Sequence, residues 1–199
     1  DQKSIEKVIF GLKGCEFRFS SLSSSWTVKD ASVINYDSVH DNNTLYDKLK
    51  LSCPKSSESQ IVAMNKISAA IVMLCKGTPL LMSGEEILRS KVNRNGTFND
   101  NSYNAGDEVN CIKWEKIIPG SFEYETHLYY KGLIEMRKKI KVLSSPSEKV
   151  EVECEKNCLI AKFVDNVNNE VFAVINPTEK EFIYKLPKGK WSLIVDGKN

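Results

Sequence analysis

Residues 34–49, INYDSVHDNNTLYDKL, carry the pattern that decides the fold. The stretch begins as a short apolar run and turns abruptly polar at His40-Asp-Asn-Asn43. A buried parallel strand is apolar on both faces, and its C-terminal end opens into a polar loop. The sequence therefore predicts a strand over Ala31–Val39, with a polar loop behind it.

The residues that follow repeat this arrangement. Ser59–Cys75 carries apolar side chains at helical spacing and is followed by Gly77, which predicts an amphipathic helix and its end. Thr78–Met82 predicts a second buried strand, and Phe122–Lys139 predicts a second long helix with a basic last turn. This order is typical of a parallel α/β array, in which two strands alone cannot close a sheet or a barrel.

The pattern changes after residues 143–147, LSSPS. Beyond them apolar and polar side chains alternate, in short runs separated by turn residues, which predicts antiparallel strands at 150–153, 159–164, 170–175, 181–186 and 190–195. The sequence thus predicts an α/β part followed by an all-β part, a small antiparallel β-sandwich. We place the two domains at residues 1–142 and 147–199.

Composition narrows the function classes. Hydrophobic residues make up 41% and charged residues 27%, which argues against disorder, and the net charge of +2 is spread without the basic face of a nucleic-acid binder. The longest apolar segment, Ile67–Cys75, is about half of the ~20 residues that a membrane span needs. The six cysteines are too scattered for a zinc site. They favour a reducing, cytoplasmic location, with an extracellular one as the alternative.

His40 and Asp41 are the first candidates for chemistry. They follow a predicted parallel strand at its C-terminal end, where α/β barrels place their active sites. The competing interpretation is that Asp41 and Asn42 cap the following turn. The pair alone does not decide between the two.

Three motifs occur in order along the chain. Residues 40–49, HDNNTLYDKL, closely resemble the last active-site motif of the α-amylase superfamily, in the version found in type I pullulanases. Residues 77–91, GTPLLMSGEEILRSK, are similar to the eighth barrel strand and its loop, and residues 101–114, NSYNAGDEVNCIKW, to the loop before the final barrel helix. The resemblance implies the last two β/α units of a (β/α)8 TIM barrel, residues 31–142, followed by a β domain.

The same resemblance implies cleavage of α-1,6 links in pullulan, starch or glycogen, with an α-glucan as substrate and the upstream part of the same barrel as partner. Asp41 would stabilise the transition state, and His40 would bind the sugar beside the cleaved bond. Further substrate-binding residues would be Asn42, Tyr46, Arg89, Asn101, Tyr103 and Asn104, although the loop residues among them can equally stabilise their own loops. No organic cofactor and no metal in this segment are expected, and calcium would bind elsewhere in the parent protein.

A retaining glycosidase also needs a nucleophilic carboxylate and a general acid. Residues 16–20, EFRFS, echo the family's nucleophile motif but have Ser20 where the aspartate would stand. Glu85 and Glu86 follow the second strand, and we expect them to brace its loop. The chain alone is therefore predicted to be inactive.

Other interpretations remain open at this point. The main alternative enzyme function is that of an α-1,4-acting amylase relative or an isoamylase-type debranching enzyme, and residues 42–47, NNTLYD, favour a pullulanase over both. A glucan-binding remnant without catalysis and a structural α/β domain with a fortuitous His-Asp pair are the alternatives from other classes.

Overall fold

The structure is a computed structural model that describes residues 2–15, 33–144 and 149–196. Two compact units make up the chain. The first draws on Asp1–Asn35, Met73–Pro79 and Glu135–Asp196, and the second on Tyr36–Val72 and Leu80–Ile134. The predicted domain division at residues 142–147 stays a prediction. Residues 16–20, with the echo of the nucleophile motif, lie outside the described part.

A pair of parallel strands lies in the first unit. Strand β1, Ile34–Asn35, pairs with β2, Thr78–Pro79, in the predicted parallel orientation. Both strands are shorter than predicted, because parallel ladders normally have covered faces and here Ile34 and Tyr36 are 59% and 55% exposed. The backbone beside the pair is held by Asn35, whose Nδ2 donates to Lys76 O at 2.7 Å.

The two long helices are confirmed. Helix α3 spans Glu58–Leu74 and α5 spans Phe122–Lys139, each within one residue of its predicted bounds. Gly77, with φ of 101°, marks the chain reversal after α3. Arg137 stabilises this end, because its Nη1 and Nη2 donate to the carbonyls of Cys75 and Gly77 at 3.1 and 2.6 Å. Arg137 Nη1 also donates to the carbonyl of Met73 in the last turn of α3, an acceptor that a helix terminus leaves unpaired.

Shorter helices complete the α-helical part. They are α1 (Gln2–Leu12), α2 (Leu45–Ser52) and α4 (Asp107–Asn110), with 3-10 turns at Glu85–Ile87, Trp114–Lys116 and Lys141–Ser144. Thr44 begins α2, because its Oγ1 accepts a hydrogen bond from the backbone N–H of Asp47 at 3.2 Å. Among the described residues, no helix is long and apolar enough to cross a membrane.

The end of the chain forms a three-stranded antiparallel sheet in the first unit. Its strands are β3 (Lys149–Glu155), β4 (Cys158–Val164) and β5 (Glu170–Ile175), in the order β3-β4-β5 with β4 central and the most buried. Three of the five predicted strands are thus confirmed.

The predicted strands at 181–186 and 190–195 are wrong, because both stretches are irregular in the structure. Their alternating apolar side chains have no second layer to bury them, and Ile183 and Leu193 are 84% and 82% exposed. The described β part is therefore one sheet and not the predicted two-layered sandwich. Trp191 still contacts the sheet through an edge-to-face stack on Phe172, with ring centroids 5.1 Å apart.

Phe163 anchors this sheet, since it is fully buried on the central strand. We expect Phe163→Ala to lower the free energy of unfolding by about 3–5 kcal/mol through lost apolar burial and the cavity left behind. Val174→Ala, at a largely exposed position on β5, is the matched control and should change it by less than about 1 kcal/mol. Urea denaturation followed by circular dichroism measures both. Equal effects would contradict the assignment of Phe163 to the core.

Candidate functional site

The predicted catalytic pair lies on the segment that follows β1. His40 Nε2 and Asp41 Oδ1 are 3.5 Å apart, and the two side chains are 90% and 72% exposed. Asn42, also exposed, has a φ of 64°, a left-handed conformation that Asn tolerates better than most residues. The residue type at position 42 thus serves the local backbone, which is compatible with a contact to substrate as well. A ligand has free access to all three side chains.

Beneath this exposed segment, a buried carboxyl joins it to the segment that follows β2. Glu85 Oε2 accepts a hydrogen bond from Ser38 Oγ at 2.6 Å, and Glu85 Oε1 accepts one from Tyr130 OH at 2.9 Å. Tyr130 OH also lies 3.1 Å from Asn65 Oδ1. All four residues are buried. Glu85 therefore braces its loop, as expected, and does so by joining both loops to α3 and α5.

Glu85 forms a carboxyl pair with Asp37. Asp37 Oδ2 accepts a hydrogen bond from Ser68 Oγ at 2.7 Å, whereas its Oδ1 is buried and has no donor among the described groups. Burial and the neighbouring Asp37 carboxylate raise the pKa of Glu85 to about 8. A hydrogen bond between the two carboxyl groups, with the proton on Glu85, contributes to this rise in pKa.

A second buried carboxylate joins α2 to the same loop. Asp47, fully buried, accepts hydrogen bonds from Ser90 Oγ and, at 2.8 Å, from the backbone N–H of Lys91. Lys91 is itself buried, and its Nζ donates to the backbone carbonyl of His40 at 2.8 Å. The loops after β1 and β2 are thus linked at two places, through Glu85 and through Lys91.

Arg89, a predicted sugar-binding residue, makes contacts within its own unit. Its Nη1 donates to Ser83 O at 3.0 Å and its Nη2 to Asn110 O at 2.5 Å. Gly84 makes room for it, because a Cβ added there would lie 2.8 Å from Arg89 Cδ. These contacts favour the loop-stabilising interpretation of Arg89, and its contact with a sugar stays a prediction.

Tyr46 also has an internal partner. Its hydroxyl donates to Glu58 Oε1 at 2.5 Å, and Lys50 Nζ donates to Glu58 Oε2 at 2.7 Å. Burial and Glu58 together raise the pKa of Tyr46, so the phenol stays neutral. The phenol oxygen can still accept a hydrogen bond, and the predicted sugar contact of Tyr46 stays a prediction.

The remaining predicted binding residues are on the loop before α4. Asn101, Tyr103 and Asn104 are exposed, and the side chain of Asn110 shapes this loop by donating to the carbonyls of Ser102 and Ala105 at 2.7 and 2.9 Å. The loop thus presents an aromatic ring and two amides to solvent. Within residues 2–15, 33–144 and 149–196, no group of three or more potential ligands among His, Cys, Asp and Glu can hold a metal ion.

The sequence analysis missed the groups beneath the exposed pair. These groups are Asp37, Asp47 and Lys91, polar residues in stretches predicted to be buried or to form loops. The hydrogen-bond partners of Asp47 and Lys91 lie more than forty residues away along the chain. One signal was present for Asp47. It follows the N-cap Thr44 at the spacing of a helix start and stands between the apolar residues Leu45 and Leu49.

Comparison with known proteins gives one consistent result. No protein-family model matches the chain. Over 142 residues, 68% of its length, the chain is 30% identical to the pullulanase of Bacillus subtilis and covers 18% of that protein. Over 80 residues, 40% of its length, it is 38% identical to the chloroplastic pullulanase 1 of Arabidopsis thaliana and covers 8% of it.

Solved structures give the same match over more of the chain. The pullulanase from Bacillus acidopullulyticus has a TM-score of 0.81 and 26% identity, with 95% of this chain and 23% of that chain covered. A pullulanase from Anoxybacillus sp. LM18-11, complexed with maltotetraose, has a TM-score of 0.76 and 28% identity, with 95% and 27% covered. The chain therefore spans less than a third of the length of each of these proteins.

The proton on Glu85 predicts a pH dependence of stability. Because the pKa of Glu85 is raised from 4.5 to about 8 on folding, its contribution is fully present below pH 4.5 and is lost as the pH rises through about 8. We expect the free energy of unfolding to fall across this window by at most about 1.4 kcal/mol per pH unit. Glu85→Gln, a neutral isostere, should remove this slope.

The matched control is Glu115→Gln, which neutralises an exposed carboxyl and should keep the wild-type slope. Urea denaturation between pH 4 and 9 measures all three proteins. A Glu85→Gln profile that parallels the wild type would show that Glu85 holds no extra proton.

Gly84 gives a second prediction. Its φ is 92°, and a Cβ there would clash with Arg89, whereas Gly96 has a φ of 82° and open space around it. Gly96→Ala should cost about 1–2 kcal/mol from backbone strain alone. Gly84→Ala should cost more in urea denaturation, because the steric clash adds to the strain. Equal costs would mean that Arg89 moves away freely.

Proposed function

We propose that the chain is the C-terminal part of a debranching glycoside hydrolase, and its similarity to pullulanases in sequence and in structure supports this. The parent enzyme would cleave α-1,6-glucosidic links in pullulan, starch or glycogen with retention of configuration. The observation that carries the proposal is the exposed His40–Asp41 pair, held on a segment that two buried links fix from below.

The parallel strands support a place in a barrel. Strands β1 and β2 are joined by a crossover that contains α2 and α3, and α5 follows β2, which is the order of two successive β/α units. Ile34, Tyr36 and Leu80 lie exposed beside this pair. Further barrel strands would cover such side chains, since parallel sheets are buried on both faces. We therefore propose that residues 31–142 are the last two units of a (β/α)8 barrel.

Asp41 fits the role of transition-state stabiliser. Cleavage of a glycosidic bond builds positive charge on the sugar ring, so a carboxylate held beside the ring's hydroxyls stabilises the transition state more than the ground state. His40, adjacent to it, can donate to a sugar hydroxyl. Both side chains are exposed, and the main chain that carries them is fixed, an arrangement that binds a ligand with little reorganisation.

The nucleophile and the general acid would come from outside this chain. Glu85 is unsuited to either role, because it is buried and receives hydrogen bonds from Ser38 and Tyr130. Glu86 accepts a hydrogen bond from the backbone N–H of Gly84 at 2.9 Å. Both therefore serve the loop. We propose that the chain alone binds α-glucan without hydrolysing it.

The same proposal includes no organic cofactor for the chemistry, with any calcium bound in another part of the parent. The six cysteines are free thiols, which supports a reducing, cytoplasmic location.

Binding and hydrolysis can be measured separately on the purified chain. We expect maltotetraose to perturb the NMR signals of the His40 imidazole and of the Asp41 and Asn42 amides, while pullulan incubated with the chain yields no reducing ends. Cellotetraose, a β-linked glucan of the same length, is the control and should perturb none of them. Absence of any maltotetraose effect would remove the glucan-binding claim. Release of maltotriose from pullulan would show that the chain holds a complete catalytic set.

A further inference from the structure

We infer that Lys91 is a positioning residue for the proposed glucan site, acting through the peptide bond that joins His40 to Asp41. The functional part of the inference, that Lys91 orients Asp41 toward a bound sugar, rests on the proposed function. Its structural part, the fixing of the His40–Asp41 peptide, stands on contacts within one compact unit.

The contact itself is short and partly buried. Lys91 Nζ lies 2.8 Å from the carbonyl oxygen of His40, and the lysine is only 2% exposed. Lysine rarely occurs so deep unless its ammonium group has a partner. A charged donor gives a stronger hydrogen bond than a neutral one. The His40 carbonyl is therefore held more firmly than by an ordinary loop hydrogen bond.

Fixing this carbonyl fixes Asp41. The peptide unit between His40 and Asp41 is planar, so a constraint on the carbonyl oxygen also sets the direction of the Asp41 N–H and restricts the main chain on both sides. The side chains of His40 and Asp41 are almost fully solvated and receive little support from packing. The orientation of both must come from the main chain, and Lys91 is the buried side chain that holds it.

Lys91 is in turn held by α2. The backbone N–H of Lys91 donates to Asp47 Oδ2 at 2.8 Å, and Asp47 also accepts a hydrogen bond from Ser90 Oγ. Burial and the nearby Arg89 lower the pKa of Lys91, whereas the carboxylates of Asp47 and Asp41 act in the opposite direction and favour the charged ammonium. Charge and hydrogen bonding thus place the lysine in one position, with its ammonium group directed at the His40 carbonyl.

The test compares three variants of the full chain. Lys91→Met keeps the length of the side chain and removes its charge and donors, and Lys91→Arg restores a cation with donors. Lys48→Met is the matched control, because Lys48 is an exposed lysine on α2. Three quantities are measured on each: the unfolding midpoint, the NMR order parameters of the Asp41 and Asn42 backbone amides, and the Kd for maltotetraose.

We expect Lys91→Met to lower the order parameters of both amides below about 0.6, the range of a flexible backbone. It should also raise the Kd by about tenfold or more, the effect of removing a charged hydrogen-bond partner. Lys91→Arg should recover most of the loss, and Lys48→Met should match the wild type. A merely structural role would lower the unfolding midpoint but leave the Kd of the folded protein unchanged. That result, or wild-type order parameters in folded Lys91→Met, would overturn the inference.

Two further outcomes are separable. If the wild type binds no maltotetraose, the proposed function fails, and the order parameters still decide whether Lys91 fixes the peptide. If Lys91→Met does not fold, the wild type decides the question through NMR of its lysine ammonium groups. The inference requires the Lys91 ammonium protons to exchange with water far more slowly than those of Lys48, and equal rates would overturn it.

Discussion

Glu85 is a carboxyl group buried where the loops after the two parallel strands meet. An ionised carboxylate there, beside the carboxylate of Asp37, would carry a large desolvation penalty and a repulsion in addition. A proton on Glu85 relieves both and turns the pair into a hydrogen bond. With Ser38 and Tyr130 donating to its two oxygens, Glu85 connects both loops to the helical layer behind them. The positions of the groups above depend on this buried link.

The second link, through Asp47 and Lys91, lies nearer the surface and ends at the His40 carbonyl. With these two links, the buried and the exposed polar groups have different roles. The buried polar side chains hold the main chain, and the exposed ones, His40 and Asp41, remain free for a ligand. Catalytic sites commonly need this combination, because a preorganised group avoids the cost of reorienting during the reaction. The proposed role of Asp41 as a transition-state stabiliser draws on this arrangement.

The sequence predicted those parts of the fold that depend on local pattern. Helices α3 and α5 were found because their apolar residues recur at helical spacing. The strands at 181–186 and 190–195 were wrong, since an alternating pattern forms a strand only where a neighbouring strand and a covering layer exist. The predicted lengths of β1 and β2 were too long for the same reason. A one-dimensional pattern does not contain the neighbours on which these elements depend.

In the candidate site as well, the sequence predicted some residues and not others. His40 and Asp41 could be located from their place after a predicted strand and from the resemblance to pullulanases. Glu85 was expected to brace its loop, but its partner Tyr130 could not be predicted, because the two residues are 45 positions apart along the chain. Arg89 and Tyr46 were predicted as binding residues, and the structure gives both internal partners. The type of a residue shows which hydrogen bonds its side chain can make. Only the fold determines whether its partner is another residue or a ligand.

The central claim is that Asp41 stabilises the transition state of α-1,6 bond cleavage in a parent enzyme that contains this chain. The measurement that tests it most directly is pullulan hydrolysis by that full-length protein, as wild type, as Asp41→Asn, and as the exposed-site control Asp100→Asn. The account predicts maltotriose from the wild type and the control, with kcat lowered by a factor of about 10²–10³ or more in Asp41→Asn at little change in stability. A wild type that releases nothing from pullulan, or an Asp41→Asn variant that is as fast as the control, would contradict it.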